Sequence, residues 1–556
     1  MIGLVAVTIA GRASAERLAA AWPSRTRRYD GPAKQALPRA WAECDDIVCF
    51  LAVGATTRII APLLQSKWTD PAVVCVDESA RHAVALVGGH AAGANELAAR
   101  VAAVLGAEPV VTTATDTTGL PGLDTLGWPT EGAVTAVSRA LLNKEPTILE
   151  TDATWPIPAL PVTASGADSH RIVITDRIVP ADERTVVLRP PSLVVGVGAS
   201  RGVSSEEVLG LITEALASEG LSAVSVTAVA TVEAKAREEG IVTAAGRRGW
   251  PVITHPAELL ASVPVPSPSD AALAAVGTPS VAEAAALASA DDLVVPKKKS
   301  AMATVAVARR RPRGRLALVG LGPGARDLLT PRAIAELRRS SVIIGLQAYV
   351  DQVTDLLRPG TRVLASALGE EEARARTAVE QAQQGRAVAL VGSGDAGVYA
   401  MASPALSLAG DDIDVVVVPG ITAGLASAAL VGAPLGHDHA VISLSDLYTP
   451  WEVIERRIRA AAEGDFVVAF YNPRSQDRDW QLGAALEILA RHRDPETPVG
   501  VVHDAFRPGQ RVLVTTLAGV DPAVADMRSV VIVGSASTQI IAGRMVTPRG
   551  YKWQRP

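Results

Sequence analysis

Three glycine-rich stretches could each bring backbone close to a ligand: GLGPG (320–324), SGDAGVY (393–399) and PGITA (419–423). The first follows the apolar run Leu316–Val319, and Gly320, Gly322 and Ala325 satisfy the loose G-x-G-x-x-G/A pattern of a dinucleotide turn. Such a turn would imply hydride transfer with a nicotinamide or flavin. Two features oppose that chemistry. The next helix has its natural start at Thr330-Pro331, an N-cap followed by proline at the first helical position. This lies well past the glycines, so no helix N-terminus points at a phosphate held by the loop. The following strand, SVIIGLQAY (341–349), ends in Gly345 and Gln347 rather than in the acid that would hold a ribose hydroxyl. Pro323 also removes one backbone donor from the turn. A nicotinamide oxidoreductase is therefore the runner-up. In the other two stretches Asp395 can pair with a cationic or hydroxylated group, and Thr422 offers a short hydroxyl.

Positioning such loops takes strands that alternate with helices, and the sequence supplies them throughout. GLVAVTIA and DIVCFLAV read as buried parallel strands, with SAERLAAAW and ANELAARVAAVLG as helices. A proline-rich, less regular section follows, in which HRIVITDRIV and RTVVLRP are short strands. A new α/β unit opens at SLVVGVGASRGVSSEEVLGLITEAL, where Ser204 and Glu207 form a capping box for the next helix. The basic stretch Arg309–Arg315 reads as a solvated linker. Beyond it VVVVPG, FVVAFYNP, PVGVVHD and SVVIVGS are strands whose polar ends line a ligand crevice in open α/β sheets. The expected domains are 1–125, a middle unit 126–190, 191–308, a linker 309–314, and a two-lobed domain 315–556.

Composition narrows the chemistry. Among 556 residues, hydrophobic types make up 48% and charged types 20%, as in a folded protein. The formal net charge of −5 provides no bulk field for nucleic acid, so an anionic substrate needs local arginines. The three cysteines, Cys44, Cys49 and Cys75, have no metal-like spacing, and the eight histidines show no H-x-x-x-H or H-E-x-x-H pattern. No protein-held metal is expected, and a reduced cytoplasmic setting is the default. The N-terminal apolar run ahead of Ala13-Ser14-Ala15 mimics a secretory cleavage site, but no positive charge precedes it, so it reads as a first strand turning into a helix. No other segment approaches the length of a membrane span.

Taken in order, G-x-G-P-G, S-G-D-x-G-V-Y and P-G-x-T-A resemble the tetrapyrrole methyltransferases of cobalamin biosynthesis over nearly all of residues 315–556. GHDHAVISLSDLYTPWEVIERR (436–457), FYNPRSQDRDWQL (470–482) and GRMVTPRGY (543–551) are similar to signatures of the precorrin-3B, or cobalt-factor III, C-17-methyltransferases. The resemblance implies S-adenosylmethionine held between two α/β lobes by Pro323, Ser393, Gly394, Asp395, Val398, Tyr399, Thr422 and Ala423. A sulfonium is an activated donor, so methyl transfer needs positioning more than covalent help. Ring contraction also moves protons, and His437, Asp446, Tyr448 and Thr449 are candidates for that work. His437 and Asp438 could equally make a strand-start hydrogen bond. Arg474, Arg544 and Arg549 are candidates for substrate carboxylates, whereas Arg456 and Arg457 read as an exposed helix face. VVHDAFRPGQ places Asp504 where the family usually has asparagine.

Residues 1–310 resemble a second cobalamin-pathway family, the cobalt-precorrin-5A hydrolases, through GATTRIIAPLLQSKWTDPAVVCVDE, LVGGHAAGANELAARVA, VVTTATD, VVGVGASRGVS, VEAKAREEG and LVVPKKKS. The resemblance implies opening of a lactone with release of acetaldehyde. His90, Glu96 and Asp116 are the candidate acid–base residues, and Gly88, Gly89 and Gly93 could expose backbone donors to an oxyanion. Glu96 could instead be a first-turn helix acid, and Asp116 a turn residue. Lys235 and Lys298 could bind carboxylates, or be ordinary surface lysines. Ala92 and Ala199 replace a family glycine and cysteine, which argues against thiol chemistry at the latter loop. The expectation is therefore a bifunctional α/β enzyme acting on an anionic tetrapyrrole, a homodimer through the methyltransferase domain. Cobalt would enter only as part of the substrate. The alternative is a methyltransferase carrying a non-catalytic corrinoid-binding half.

Overall fold

The computed structural model of the chain describes residues 1–66, 69–89, 92–113, 118–163, 168–270, 273–274, 277–476 and 478–551. It divides into two compact units: Met1–Ala153 with Leu160–Pro312 and Arg358–Gly360, and Thr154–Ala159 with Arg313–Leu357 and Thr361–Pro556. No helix among the described residues is long and apolar enough to cross a membrane.

Among the described residues the first unit holds three sheets. Ile2–Ala6 is buried along its whole length and turns into the helix Ile9–Ala21, which Thr8 caps by accepting the Gly11 N–H at 3.0 Å. Its neighbours Thr26–Tyr29 and Asp46–Phe50 are parallel to it, and the sheet continues through Ala72–Val76, His82–Val87 and Glu108–Val110. A second sheet orders Thr130–Gly132, Thr185–Leu188, His170–Ile174 and Thr147–Thr151. A third orders Val252–His255, Val226–Val232, Leu193–Ala199, Ala303–Arg309 and Asp292–Lys299.

Two local expectations change in this unit. Ser204 does cap the helix Ser205–Ser218, accepting the Glu207 N–H at 3.2 Å. The reciprocal half of the capping box is not made. Glu207 Oε1 instead accepts from Ser300 Oγ at 2.6 Å and the Met302 N–H at 2.8 Å, because the loop before Ala303–Arg309 also needs acceptors. The basic stretch is not a freely solvated one either. Arg309 forks onto Asp176 at 2.7 and 2.8 Å, and Arg311 onto Asp292 at 2.9 and 2.8 Å. In the second unit Arg313 pairs with Asp414 at 3.3 Å, and Arg315, opening a strand, with Glu336 at 2.7 Å. Planar guanidinium groups find carboxylates wherever backbone strands bring them within reach.

The second unit has two lobes. In the first, Arg362–Ser366, Val342–Leu346, Ala387–Gly392, Arg315–Gly320 and Asp414–Val418 form an all-parallel sheet in that order. Period-two alternation sorts its side chains. Leu316, Leu318, Ile344, Val388 and Leu390 pack on one face with residues of the helix Glu371–Gln383. Ala317, Val319, Ile343, Ala389 and Val391 pack on the other with residues of Pro331–Arg339. Burial on both faces explains the continuous apolar strands. Thr330 caps the helix Pro331–Arg339 through the Ala333 N–H at 3.2 Å, at the expected residue.

The second lobe orders His439–Ser443, Val467–Tyr471, Ser529–Val533, Pro498–His503 and Arg511–Thr516. Its first pair is parallel and the rest are antiparallel. Val468, Phe470, Val499, Val501, Val531 and Val533 pack with side chains of the helices Trp451–Glu463 and Gln481–Ala490. Val467, Ala469, Val502, Val530 and Ile532 pack with Ala428 and Val431 of the helix Ala423–Val431. Only four residues separate that helix from the end of the first-lobe strand Asp414–Val418, so the PGITA loop is the crossover between lobes.

Candidate active site

The three glycine stretches meet at the ends of neighbouring first-lobe strands, and they touch one another. Gly322 and Gly394 exchange backbone hydrogen bonds at 3.0 and 2.8 Å. A Cβ on Gly320 would lie 2.7 Å from Gly394 O and 2.8 Å from Gly420 N. One on Gly420 would lie 2.1 Å from Gly394 O. Close approach of loop to loop, with no ligand involved, is thus sufficient to require glycine at these two positions. Asp395 acts in the same way. Its Oδ2 accepts the Gly420 N–H at 3.0 Å and its Oδ1 the Gly397 N–H at 2.8 Å, so the carboxylate ties the second loop to the third.

The second lobe closes the other side. Tyr471, at the end of Val467–Tyr471, places its hydroxyl 2.6 Å from Thr422 Oγ1 and accepts the Gly424 N–H. Arg507 reaches across from the loop after Pro498–His503, donating to Pro323 O and, at 2.6 Å, to Ser393 Oγ. Tyr399, at φ 51°, donates to Val441 O at 3.0 Å and accepts the Ser443 N–H at 3.1 Å. Burial pushes its phenol above the ordinary tyrosine value. Its ring centroid lies 5.4 Å from that of Tyr471.

The resulting cavity is lined by all eight residues expected at the donor site: Pro323, Ser393, Gly394, Asp395, Val398, Tyr399, Thr422 and Ala423. It is also lined by Ser427, Tyr471, Asn472, Val502, Asp504, Ala505, Arg507, Met527, Arg528 and Val530, which motif reading did not select as donor-site residues. Tyr471 and Asn472 lie within the FYNP signature, at a strand end, and that position was the available signal. Nothing in the sequence ties Arg507 to residues 323 and 393.

The other expected residues fall elsewhere. Asp446 does not line this cavity; it accepts from Gln481 Nε2 at 3.0 Å and lies 4.0 Å from Arg478 Nε. Burial lowers the Arg478 guanidinium from its ordinary value, against the pull of Asp446. His437 is exposed and outside the cavity, with Nδ1 accepting the Asp438 N–H at 2.8 Å, the local hydrogen bond that was its alternative reading. Tyr448 is exposed, and Thr449 precedes the helix Trp451–Glu463. Arg474 lines an adjoining cavity that shares Met527 and Arg528 with the first. Arg544, on the strand Arg544–Val546, and Arg549 are both exposed.

In the first unit, His90 and Asp116 lie outside the described residues. Glu96 is an exposed acid in the first turn of the helix Ala94–Leu105. The glycines before it serve that helix: Ala94 N–H donates to Gly88 O, Asn95 N–H to Gly89 O and Leu97 N–H to Gly93 O, at 3.1, 3.1 and 2.9 Å. Lys235 is held by Glu238 at 3.1 Å, and Lys298 lies on the strand Asp292–Lys299.

A two-lobed α/β unit with strand-end loops around a polar cleft has the form of a small-molecule binding protein of the α/β class. Residues 315–521 match the Tetrapyrrole (Corrin/Porphyrin) Methylases, and the chain belongs to that family. Residues 35–116 match the Cobalamin synthesis G N-terminal family and residues 193–308 the Cobalamin synthesis G C-terminus family, so the chain joins both kinds of domain. Among similar proteins, a probable cobalt-factor III C(17)-methyltransferase of Salmonella typhimurium is 45% identical over 42% of this chain and 99% of its own length. A precorrin-3B C(17)-methyltransferase of a Sinorhizobium species is 41% identical over 43% of this chain and 97% of its own. The crystal structure of the methyltransferase CobJ is 41% identical over 42% of this chain and 98% of its own, with a TM-score of 0.40.

Proposed function

We propose that residues 315–556 bind S-adenosylmethionine in the cavity between the lobes and methylate C-17 of precorrin-3B or its cobalt form, with contraction of the ring. The observation that carries this reading is the cavity itself, where the three loops of the first lobe face Tyr471, Asp504 and Arg507 of the second. The lining suits the donor. Ser427 is fully buried there, and its hydroxyl has no hydrogen-bond partner among the described residues. Apolar Val398, Val502 and Val530 can cover a heterocycle, while hydroxyls and carboxylates suit ribose and the amino-acid end. When bound, the sulfonium supplies an activated methyl group. Asp395 and Arg507 hold the loops that surround it, and Tyr399 and Tyr471 fix one lobe against the other. Arg474, Arg544 and Arg549 are proposed to meet substrate carboxylates, and His437, Asp446 and Thr449 to serve the macrocycle rather than the donor.

The first unit, with domains proposed at 1–125, 126–190 and 191–308, is proposed to open the lactone formed on contraction and release acetaldehyde, using His90, Glu96 or Asp116. The protein is proposed to be cytoplasmic and to dimerise through residues 315–556. Calorimetry of the full chain with S-adenosylhomocysteine tests the donor site; the expected result is one site per chain, and its absence overturns the reading. Incubation with metal-free and cobalt-loaded substrates, followed by mass, absorbance and acetaldehyde assay, tests the reaction and the choice of ring. Methylation without acetaldehyde release would assign the first unit a corrinoid-binding role.

A further inference from the structure

The strand Pro498–His503 ends in a chain of titratable groups that the proposed reaction has not yet used. His503 is buried, and each ring nitrogen faces a different carboxylate. Nε2 lies 3.1 Å from Asp504 Oδ2, and Nδ1 lies 3.0 Å from Asp526 Oδ1. The two acids have unlike surroundings. Asp504 is only 5% exposed and lines the cavity between the lobes, whereas the Asp526 side chain is 50% exposed. His503 and Asp526 both line a further cavity, distinct from the one at Arg474, and Arg511, the cross-strand neighbour of His503, lines it too. The line Asp504–His503–Asp526 therefore runs from the cavity between the lobes, where the proposed donor would meet its substrate, to a half-exposed carboxylate.

The remaining charged and polar neighbours are compatible with transfer along that line. Arg528 Nη1 lies 3.0 Å from Asp504 Oδ2 and supports the buried carboxylate. Ser529 Oγ lies 3.3 Å from His503 Nδ1. Burial works to raise the Asp526 carboxyl. The Arg528 N–H, the Ser529 hydroxyl and His503 outweigh it and hold the acid below the usual carboxylate range. The backbone is also unusual. Asp504 and Phe506 sit at φ 49° and 58°, so two non-glycine residues of one loop are left-handed. Asparagine and aspartate tolerate that conformation best. Either residue could therefore shape the turn, but only aspartate can accept a proton there.

We propose that Asp504, His503 and Asp526 form a proton relay between the substrate cavity and solvent, serving ring contraction; this rests on the function proposed above. With the ring neutral and its proton on Nδ1, the Asp504 carboxylate takes a proton released by the macrocycle and passes it to Nε2. The Nδ1 proton moves to Asp526 and then to water, so one proton leaves the cavity and both acids end as carboxylates. The ring is left protonated on Nε2. Running in reverse, it takes a proton from Asp526 on Nδ1 and hands the Nε2 proton through Asp504 back to the cavity. Asp504 is the catalytic member, and His503 and Asp526 act through it.

The test uses the full chain and its variants D504N, H503Q and D526N. Single-turnover contraction is followed by absorbance from pH 6 to 9, with cobalt-factor III or precorrin-3B as substrate, and donor affinity by calorimetry with S-adenosylhomocysteine. D504N keeps the left-handed turn, and its rate is read at saturating S-adenosylmethionine because Asp504 lines the donor cavity; H503Q, outside that lining, should bind the donor within about twofold of wild type. Contraction should slow by at least ~10-fold, the low end of what general acid–base catalysis supplies being on the order of 100-fold. The pH dependence seen in wild type should flatten in D504N and H503Q. D526N should be slowed less and restored by added imidazole buffer. Wild-type rates in D504N at every pH would overturn the relay, as would equal slowing at every pH together with a lower melting temperature. Failure of the wild type itself to bind S-adenosylhomocysteine would overturn the function and the relay with it.

Discussion

Two glycine-rich regions of this chain, one of a single strand end and one of three, look alike as sequence and do different work. In LVGGHAAGANELAARVA the glycine carbonyls accept from the first N–H groups of the helix Ala94–Leu105, and the described part of the loop completes its own helix. In GLGPG, SGDAGVY and PGITA the glycines let three separate loops press together, with Asp395 binding one to the next. The first arrangement is local and satisfies backbone groups that any helix start leaves open. The second joins residues about 25 to 100 positions apart, and it shapes a cavity as a by-product of its packing. Glycine content alone does not separate the two. What separates them is what an added Cβ meets first: another loop's backbone at Gly320 and Gly420, but the side chains of Ala92 and Thr113 at Gly88 and Gly89.

Substitutions can break this contrast. The largest effect is expected for Gly420→Ala, whose Cβ would sit 2.1 Å from Gly394 O. Backbone must move to admit it, costing ~3 kcal/mol or more. Calorimetry with S-adenosylhomocysteine should show affinity weakened on the order of 100-fold. Gly392→Ala, with nothing within 4 Å of its Cβ, should bind normally. Arg507→Ala should come next, since it removes the hydrogen bonds to Pro323 O and Ser393 Oγ. A loss of ~1.5 kcal/mol, roughly tenfold in donor affinity, is expected from charge-assisted bonds of this kind. Arg507→Lys should recover only part, because an ammonium donates from a single nitrogen and lacks the two spaced nitrogens that reach Pro323 O and Ser393 Oγ.

Gly93→Ala tests the other side of the comparison. Gly93 has φ 82° but its added Cβ would come no nearer than 3.8 Å to Glu96. Only the left-handed backbone penalty applies, roughly 1 kcal/mol, read as a lower melting temperature with donor binding unchanged. The smallest effect concerns acid. Asp526 is held below the usual carboxylate range when folded, so its contribution is present above the ordinary carboxylate pKa and is lost as pH falls through the folded value. The side chain is half exposed, which limits this to under ~1 kcal/mol. Melting curves of wild type and D526N should therefore converge as pH drops from 6 toward 3.

Much of the architecture is readable without coordinates. Apolar runs such as Leu316–Val319, buried on both faces, announce parallel strands, and Thr330-Pro331 marks a helix start at the residue where it occurs. All eight residues expected around the donor line one cavity, since each motif sits where a strand ends. What the sequence does not show is commitment. Asp395 looks free to meet a ligand, yet both its oxygens accept backbone N–H groups. Glu207 has the spacing of a capping box but serves Ser300 and Met302. Asp504 reads as a mere departure from a pattern until His503, Asp526 and Arg528 are seen around it.

By itself, then, the sequence determined the strands, the turns and the order of the motifs, because these depend on side-chain periodicity and on backbone preferences over a few residues. Tertiary structure decided which polar groups remain available. His503 meets Asp526 across 23 positions through the pairing of Pro498–His503 with Ser529–Val533, and Arg507 meets Ser393 across 114 through the approach of one lobe to the other; no local spacing encodes either. A carboxylate or guanidinium has few partners to give, and the fold chooses them by distance in space.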